Sequence, residues 1–281
     1  MRLCIVSPHL DDAVLSCGIK MQRVKEAGGE VLVLNIFNAG TNAENRRVEE
    51  INAAQVLGAT PFFLDELDAP DRDARYKSEI ELFHGDFANV PEEVVARVAL
   101  RIGDFLKENE IDAVYFPLAA GTHIDHRIAY AAGQMVQHPQ TRYYEDRPYI
   151  LWPGMLQARL NQISCQTDVP AITPAEMRAG IDDYHYLAHF VPPGDFRDVC
   201  LPRYFADLTA PEGYILQGTA EAEHATGAEL EKLYDSLACY TSQMPLIYRD
   251  RAGFVQDSFS HELQRSGQEA YVERRWRLRA I

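Results

Sequence analysis

Two short polar motifs, each directly after an apolar run, carry the side chains best suited to chemistry. Residues 7–12 read Ser-Pro-His-Leu-Asp-Asp, and residues 121–126 read Gly-Thr-His-Ile-Asp-His. In each motif two potential ligands stand three residues apart, so that both side chains can converge on one ion. Together the motifs supply the two histidines and one carboxylate of a hydrolytic zinc site with an open coordination position.

The first motif places a free carboxylate beside two potential ligands. His9 and Asp12 could hold an ion, while Asp11 stays available to accept a proton. Because a bound metal lowers the pKa of water toward ~7, a neighbouring carboxylate can complete its deprotonation. An ordinary helix start is the alternative interpretation, since aspartate is common at helix N-caps.

The second motif offers a pair of imidazoles. His123 and His126 could both ligate, or one could ligate while the other faces a substrate. Asp125 could orient one of them through its second ring nitrogen. A solvated loop is the alternative for each histidine alone, but the conjunction of the two motifs favours a metal site.

The elements around the motifs alternate between strand and helix. Strands are predicted over residues 2–7, 30–37, 60–64 and 111–118, and helices over residues 13–27, 43–57, 91–109 and 126–137. This alternation predicts an α/β fold, with a Rossmann-like, mostly parallel sheet flanked by helices. Both motifs then lie at the carboxyl ends of strands, where open α/β sheets build their sites.

The pattern weakens after about residue 140. We predict a single domain over residues 1–281, with a Rossmann-like catalytic core over residues 1–140. Residues 141–281 are expected to be a divergent C-terminal part that packs on the same core and determines substrate specificity. Within that part we predict a mobile loop over 209–223, and helices over 229–237 and 262–279.

A polar segment over residues 65–89 shows few periodic signals. Its length predicts a functional loop or lid. Asp68 and Asp71 in this segment could bind sugar hydroxyl groups. Turn-forming or solvated aspartates are the alternative interpretation.

Composition excludes some classes of partner. The 281 residues contain 27 Lys+Arg against 42 Asp+Glu, a net charge of −15, which argues against a nucleic-acid partner. No apolar run approaches the ~20 residues that span a bilayer, and the N-terminal apolar stretch is too short for a signal peptide. Five scattered cysteines without a Cys-x-x-Cys pattern indicate free thiols, so we expect a cytoplasmic protein without membrane insertion. A homo-oligomer stays open.

The motifs resemble those of the PIG-L/LmbE family of metal-dependent N-deacetylases, which act in GlcNAc-phosphatidylinositol, mycothiol and bacillithiol pathways. The family's (P/A)HPDDE and HPDH turns appear here as residues 8–13 and 123–126. A family helix of the type R-x-x-E…A-x-x-L-G appears as residues 46–49 and 54–58. Residues 240–243, Tyr-Thr-Ser-Gln, are similar to a late H-x-S-Q motif.

The resemblance, firm over residues 1–135, implies an activity and a cofactor. The activity is removal of an N-acetyl group from an amino sugar or amino-sugar conjugate. His9, Asp12 and His126 would hold the metal. The cofactor would be Zn²⁺, with Fe²⁺ as an alternative because imidazole and carboxylate serve both metals.

The resemblance also implies roles for the other polar side chains. Asp11 would be the general base and would return the proton to the leaving amine. His123 would stabilise the oxyanion, with Asp125 supporting its charge. Arg46 would contact the substrate.

The chain also departs from the family pattern. Leu10 and Ile124 replace the usual prolines, and Ala13 replaces the usual glutamate. Gly121 stands where some members have a tyrosine, which puts a tyrosine at the oxyanion site in doubt. The candidates to replace that tyrosine are Tyr143, Tyr144 and Tyr240.

Two other functions stay open. One is a non-catalytic sugar- or nucleotide-binding module on a Rossmann-like scaffold. The other keeps the metal but hydrolyses a different amide or an ester, because fold alone does not determine the reaction.

Overall fold

A computed structural model describes residues 1–84, 90–190 and 194–281, and its strands form one eight-stranded sheet. The strands are β1 (Arg2–Ser7), β2 (Glu30–Ala39), β3 (Thr60–Leu67), β4 (Ala113–Pro117), β5 (Thr141–Tyr144), β6 (Cys165–Gln166), β7 (Leu216–His224) and β8 (Val272–Ala280). Their order across the sheet is β3-β2-β1-β4-β5-β8-β7-β6.

Helices cover both faces of this sheet. Those of the first half are α1 (Asp12–Glu26), α2 (Ala43–Leu57), α3 (Ala69–Arg72), α4 (Glu79–His84), α5 (Glu92–Glu108) and α6 (Ile124–Val136). Those of the second half are α7 (Met155–Gln162), α8 (Pro174–Ala179), α9 (His185–Phe190), α10 (Asp195–Asp207), α11 (Gly227–Leu237), α12 (Met244–Ile247) and α13 (Arg251–Ser266).

The strands of the first half are parallel, and β1, β2 and β4 among them are buried on both faces. β1 pairs with β2 and β4, β2 with β3, and β4 with β5, all in parallel register. Leu3 and Ile5 of β1 belong to the core under α1 and α2, whereas Cys4 and Val6 belong to the core under α5 and α6. Continuous apolar runs fit this arrangement because each face packs against helices. The predicted α/β, Rossmann-like fold is confirmed.

The order of the strands reverses between β1 and β4. From β1 the chain moves outward through β2 and β3, then returns to form β4 on the other side of β1. In sheets of this kind the crevice at the carboxyl ends of such neighbours is the usual ligand site. Residues 8–11 follow β1 and residues 118–123 precede α6, so both polar motifs lie at this crevice.

The C-terminal part extends the same sheet, and two predictions there are wrong. Residues 262–279 were expected to be one helix, but α13 ends at Ser266 and β8 begins at Val272. The expected mobile loop over 209–223 instead leads into β7, which pairs with β8 in antiparallel register. Both segments form strands because they stabilise each other: arginines of β8 form ion pairs with glutamates of β7 across the antiparallel pair. The prediction that residues 1–281 form a single domain stays a prediction. One continuous sheet through both halves of the chain is consistent with it.

Residues 65–84 of the segment predicted as a loop or lid form regular elements. β3 continues to Leu67, and α3, a 3₁₀ turn over Ala74–Lys77 and α4 follow. Residues 85–89 lie outside the described residues. Among the helices that are described, none is both long and apolar enough to cross a bilayer.

Candidate functional site

The turn after β1 is built by hydrogen bonds within the first motif. The Ser7 hydroxyl donates to the carbonyl of His9 at 2.6 Å and accepts from the backbone N–H of Ala13 at 3.0 Å. The backbone N–H of His9 donates to the carboxylate of Asp12 at 2.8 Å. Asp11 adopts φ 139°, a value that L-residues rarely take, so the turn holds this residue in a strained conformation.

The turn before α6 is built in a similar way. Thr122 has φ 61°, in the left-handed region. His123 is the N-cap of α6, where its Nδ1 accepts a hydrogen bond from the backbone N–H of Asp125 at 3.1 Å. His126 follows in the first turn of the helix and is fully buried.

The two turns bring three side chains together. An Asp12 carboxylate oxygen lies 3.3 Å from Nδ1 of His9 and 3.2 Å from Nε2 of His126. One ligand atom from each residue lies within 4.8 Å of the other two, as a shared metal ion requires. His9 also belongs to a second group that meets the same criterion, with His123 and Asp125.

Each of the two histidines near Asp12 has a second carboxylate on its other ring nitrogen. Nδ1 of His126 donates to Asp146 at 2.7 Å, and Nε2 of His9 lies 3.3 Å from Asp125. This pattern of a carboxylate behind an imidazole is characteristic of metal-ligating histidines. Nε2 of His126 is buried without a hydrogen-bond partner among the described atoms, and a metal ion is the partner that its lone pair fits.

The acidic surroundings favour positive charge on these imidazoles. Burial opposes a charge on His126, but Asp12 and Asp146 outweigh it and raise its pKa to about 9. Burial likewise opposes a charge on His9, while hydrogen bonds to Asp12 and Asp125 raise its pKa well above the ordinary value. A pocket that attracts protons to two imidazoles also attracts a divalent cation in their place.

Asp11 lies beside this group and is suited to accept a proton. Burial raises its pKa to about 7, the main opposing influence being the nearby Arg46 guanidinium. Nη2 of Arg46 is 3.4 Å from the Asp11 carboxylate and donates to the carbonyl of Leu10 at 3.0 Å. A carboxylate whose pKa is near neutral is an efficient general base at neutral pH.

His123 is held in its neutral form. Burial lowers its pKa well below the ordinary value, and the positive charges of His9 and His126 lower it further. Because its Nδ1 accepts a hydrogen bond, the proton of the neutral ring resides on Nε2. His123 therefore offers an N–H donor without carrying a charge.

The structure brings Asp125 close to both His9 and His123. Its carboxylate accepts hydrogen bonds from Arg72 at 2.5 Å and from the backbone N–H of Ala69 at 3.0 Å, and it faces His9. Its backbone N–H donates to Nδ1 of His123, and a carboxylate oxygen of Asp125 lies within 4.8 Å of a ring nitrogen of His123. Asp125 is thus positioned to orient His9, and its support of charge on His123 stays a prediction.

The other substrate-binding candidates separate into two groups. A cavity of about 330 Å³ is lined on its polar side by His9, Asp11, Asp12, Arg46, Asp68 and His123. Asp68 caps α3 and lies 3.5 Å from Nε2 of His9. Asp71 does not line this cavity, because its carboxylate accepts from the backbone N–H and hydroxyl of Thr41.

A tyrosine that sequence reasoning missed lies against Gly121. A Cβ atom at position 121 would overlap the Tyr149 ring, so the glycine provides the space that this ring fills. Tyr149 lines the cavity, and its ring centroid is 5.3 Å from that of His126. The structure places Tyr143, Tyr144 and Tyr240 elsewhere, since their hydroxyl groups bond to Gln134, the Val6 carbonyl and Glu50.

Asp146 was also missed. It follows β5, the parallel neighbour of β4, so its position at the carboxyl end of a strand was the available signal. The weak periodicity after residue 140 hid that strand. Asp146 additionally accepts from the backbone N–H of Ala120 at 3.2 Å, which ties the turn after β4 to β5.

Two further motifs meet at the same site although they are far apart in sequence. Glu49 of α2 accepts hydrogen bonds from the Thr241 and Ser242 hydroxyl groups, at 2.7 and 2.6 Å. Glu50 accepts from the Tyr240 hydroxyl at 2.6 Å. Residues 240–243 are thereby fixed against α2, and Gln243 lines the cavity.

Comparison with known proteins agrees with this geometry. Residues 4–136 match the family model described as PIG-L: GlcNAc-PI de-N-acetylase. The 2'-N-acetylparomamine deacetylase of Streptomyces fradiae is 29% identical over 166 residues, which cover 53% of this chain and 57% of that protein. The matched region thus spans little more than half the length of this curated relative. The family resemblance inferred from the motifs is confirmed.

Solved structures extend the likeness in fold to the whole chain. A deacetylase of the teicoplanin biosynthesis pathway has a TM-score of 0.66 at 20% identity, covering 100% of this chain and 99% of that one. The zinc-inhibited form of a teicoplanin deacetylase has a TM-score of 0.65 at 19% identity, with the same coverage. At these identities the comparison supports the fold of both halves of the chain.

Proposed function

We propose that this chain, whose residues 4–136 form a PIG-L family domain, is a metal-dependent hydrolase that removes the N-acetyl group from an amino sugar or amino-sugar conjugate. One observation carries the proposal. His9, Asp12 and His126 converge at a cavity that also contains a buried carboxylate and a neutral imidazole donor. A binding module would have no need of the last two groups.

The metal would be held by His9, Asp12 and His126, with Asp125 and Asp146 orienting the two imidazoles. We favour this group over His9, His123 and Asp125, because Nε2 of His126 is buried, makes no hydrogen bond among the described atoms and faces the Asp12 carboxylate at 3.2 Å. The donor set fits Zn²⁺ and also Fe²⁺, and we propose Zn²⁺. When bound, the metal polarises the amide carbonyl and makes water more acidic.

The protein's own side chains then perform the proton transfers. Asp11 accepts a proton from the attacking water and returns it to the nitrogen that leaves as an amine. His123 donates its Nε2–H to the carbonyl oxygen as that oxygen gains negative charge. Arg46 holds the Asp11 carboxylate and closes one side of the cavity.

Asp68 is proposed to contact the substrate, since its carboxylate lies at the cavity near His9. Asp71 is not part of this proposal, because it binds the loop at Thr41. We also propose a cytoplasmic location, which the five unpaired cysteines support.

The first test is metal content, measured by elemental mass spectrometry on protein purified without a His-tag or a chelator. We expect about one zinc or iron per chain. Acetate release from N-acetylated amino sugars is then measured with one equivalent of zinc and with excess zinc, because a structurally similar deacetylase has a zinc-inhibited form. Protein that neither contains nor takes up metal would favour the binding-module alternative. Metal without acetate release would favour another amide or ester as substrate.

A further inference from the structure

The cavity beside the proposed metal ligands has two chemically different sides. One set of lining residues is polar and comes from the turn after β1, the start of α1, helix α2 and the N-caps of α3 and α6. The lining also contains a group of apolar and aromatic side chains, Leu82, Phe83, Tyr149, Tyr186 and Leu246, which we call the apolar wall. An N-acetylated sugar has hydroxyl and amide groups that match the polar side, and the wall is left for another part of the ligand.

The aromatic residues of the wall pack against one another and against neighbouring residues. Gly121 leaves room for the Tyr149 ring, and the ring of Tyr186 stands edge-on to Tyr149 with centroids 5.7 Å apart. The Phe83 ring lies 6.3 Å from that of Tyr149 and 5.0 Å from that of His123. These contacts fix an aromatic surface directly beside the reacting groups.

The aliphatic part of the wall is open to water. Leu246 of α12 lines the cavity and is 51% exposed. An apolar side chain at the rim of a ligand cavity gains stabilisation when a ligand covers it, because apolar surface is then removed from water. A substrate that carries only hydroxyl and amine groups would leave the Leu246 side chain exposed to water.

Most of the wall comes from outside the matched family domain. Tyr149, Tyr186 and Leu246 follow residue 136, where that match ends. The wall is therefore a property of the C-terminal part of this chain, and it is separate from the residues that would perform the hydrolysis.

We propose that the substrate is an amino-sugar conjugate whose sugar bears an apolar substituent, aryl or alkyl, and that the apolar wall binds this substituent. The inference rests on the proposed function and makes its substrate class narrower. Conjugates with an apolar group next to the sugar are favoured over purely hydrophilic amino sugars.

The first experiment measures binding by the apolar wall independently of hydrolysis. Binding of phenyl β-glucoside and methyl β-glucoside, which have no amide to hydrolyse, is measured by calorimetry with the full chain. We expect the phenyl glucoside to bind about tenfold more tightly, a typical discrimination by an apolar pocket. Equal affinities would overturn the proposal whether or not the protein is an enzyme.

The second experiment uses the phenyl and methyl β-glycosides of N-acetylglucosamine with metal-loaded protein. We expect kcat/KM for acetate release to be about tenfold higher for the phenyl glycoside. Equal turnover of the two glycosides would reject the proposed role of the apolar wall and would support the proposed deacetylase activity. No turnover of either, together with the expected binding preference, would reject the deacetylase and leave the wall in place.

A pair of leucine variants connects the preference to the wall. Leu246→Gln is expected to lower the phenyl-over-methyl ratio severalfold, because it replaces apolar surface by an amide. Leu263→Gln is the matched control, since Leu263 is 45% exposed on α13 and does not line the cavity. The same loss of preference in both variants, or in neither, would contradict the assignment of Leu246.

Discussion

Asp146 accepts a hydrogen bond from Nδ1 of His126 at 2.7 Å, and both side chains are completely buried. This bond fixes the ring so that Nε2 faces Asp12, 3.2 Å away. The carboxylate also increases the electron density of the imidazole, which strengthens it as a ligand. Metal affinity should therefore depend on a residue that would not touch the metal.

Asp146→Asn tests that dependence. The amide keeps the size of the carboxylate but removes its charge, so we expect metal affinity to fall by about 10–100-fold. The measurement is a zinc competition titration against a chromophoric chelator, with Asp198→Asn as the control because Asp198 is an exposed surface carboxylate. Unchanged affinity in Asp146→Asn would argue against His126 as a ligand.

Replacement of the two histidines of the second motif should have different effects. His126→Ala is expected to lose the metal, since it removes a proposed ligand. His123→Ala is expected to keep the metal and to lower kcat by about 10²–10³-fold, the usual effect of removing an oxyanion donor. Elemental mass spectrometry of both variants decides between the two candidate ligand groups. Loss of metal from His123→Ala alone would select the group with Asp125.

Asp11→Asn is expected to abolish turnover while leaving the metal bound. The amide cannot accept a proton, so the loss of the general base should reduce kcat by at least about 10²-fold. Metal content of the same sample is the internal control, because Asp11 adjoins the ligands without being one of them in the proposed site. An enzyme that keeps most of its kcat after this change would assign the base to another group.

The sequence predicts the first half of the fold better than the second, for physical reasons. Apolar runs and helical stripes are local signals, and they define the strands around His9 and His126. The position of β8 depends on partners distant in sequence, such as the Glu223 carboxylate of β7 that pairs with Arg275 at 2.8 Å. No local sequence pattern reveals that pairing, and the arginine-rich segment was therefore predicted to continue a helix.

The site shows the same division. The proposed ligands and the proposed base belong to two short motifs, so the sequence alone identifies them as a set of candidates. Asp146 and Tyr149 were not, because each acts through a partner that only the folded chain brings close. The Gly121–Tyr149 contact is an example: the glycine was recognisable as a departure from the family, whereas the ring that fills its space was not.

Gly121→Ala tests this contact through stability. The added methyl group would overlap the buried Tyr149 ring, so we expect the free energy of unfolding to fall by about 1–3 kcal/mol. Gly103→Ala is a matched control within α5, where none of the described atoms outside the helix backbone lies within 4 Å of a new Cβ. There the substitution should raise stability by about 0.5–1 kcal/mol. Urea unfolding of each variant and of the unchanged protein measures these changes in the free energy of unfolding. If Gly121→Ala is as stable as the unchanged protein, the Tyr149 ring moves aside without an energetic cost.

Helix α1 leaves regular geometry at Cys17, and Glu273 of β8 completes the hydrogen bonds of the helix there. Its carboxylate accepts from the backbone N–H groups of Ile19 at 2.7 Å and Lys20 at 3.0 Å. Burial raises the pKa of Glu273 to about 7, from 4.5 for an unperturbed glutamate. Between these two pH values the folded protein holds a proton that the unfolded chain has lost.

Stability should therefore fall as the pH rises from about 4.5 to 7, by up to about 1.4 kcal/mol per pH unit for this one group. Glu273→Gln imitates the protonated carboxyl and cannot titrate, so we expect a flatter dependence of stability on pH across that window. Urea unfolding from about pH 5 to about pH 8 gives the slopes. Glu269→Gln, at an exposed position near β8, is the control and should retain the wild-type slope. If Glu273→Gln also retains that slope, the carboxyl is already ionised in the folded protein at the lower end of the window.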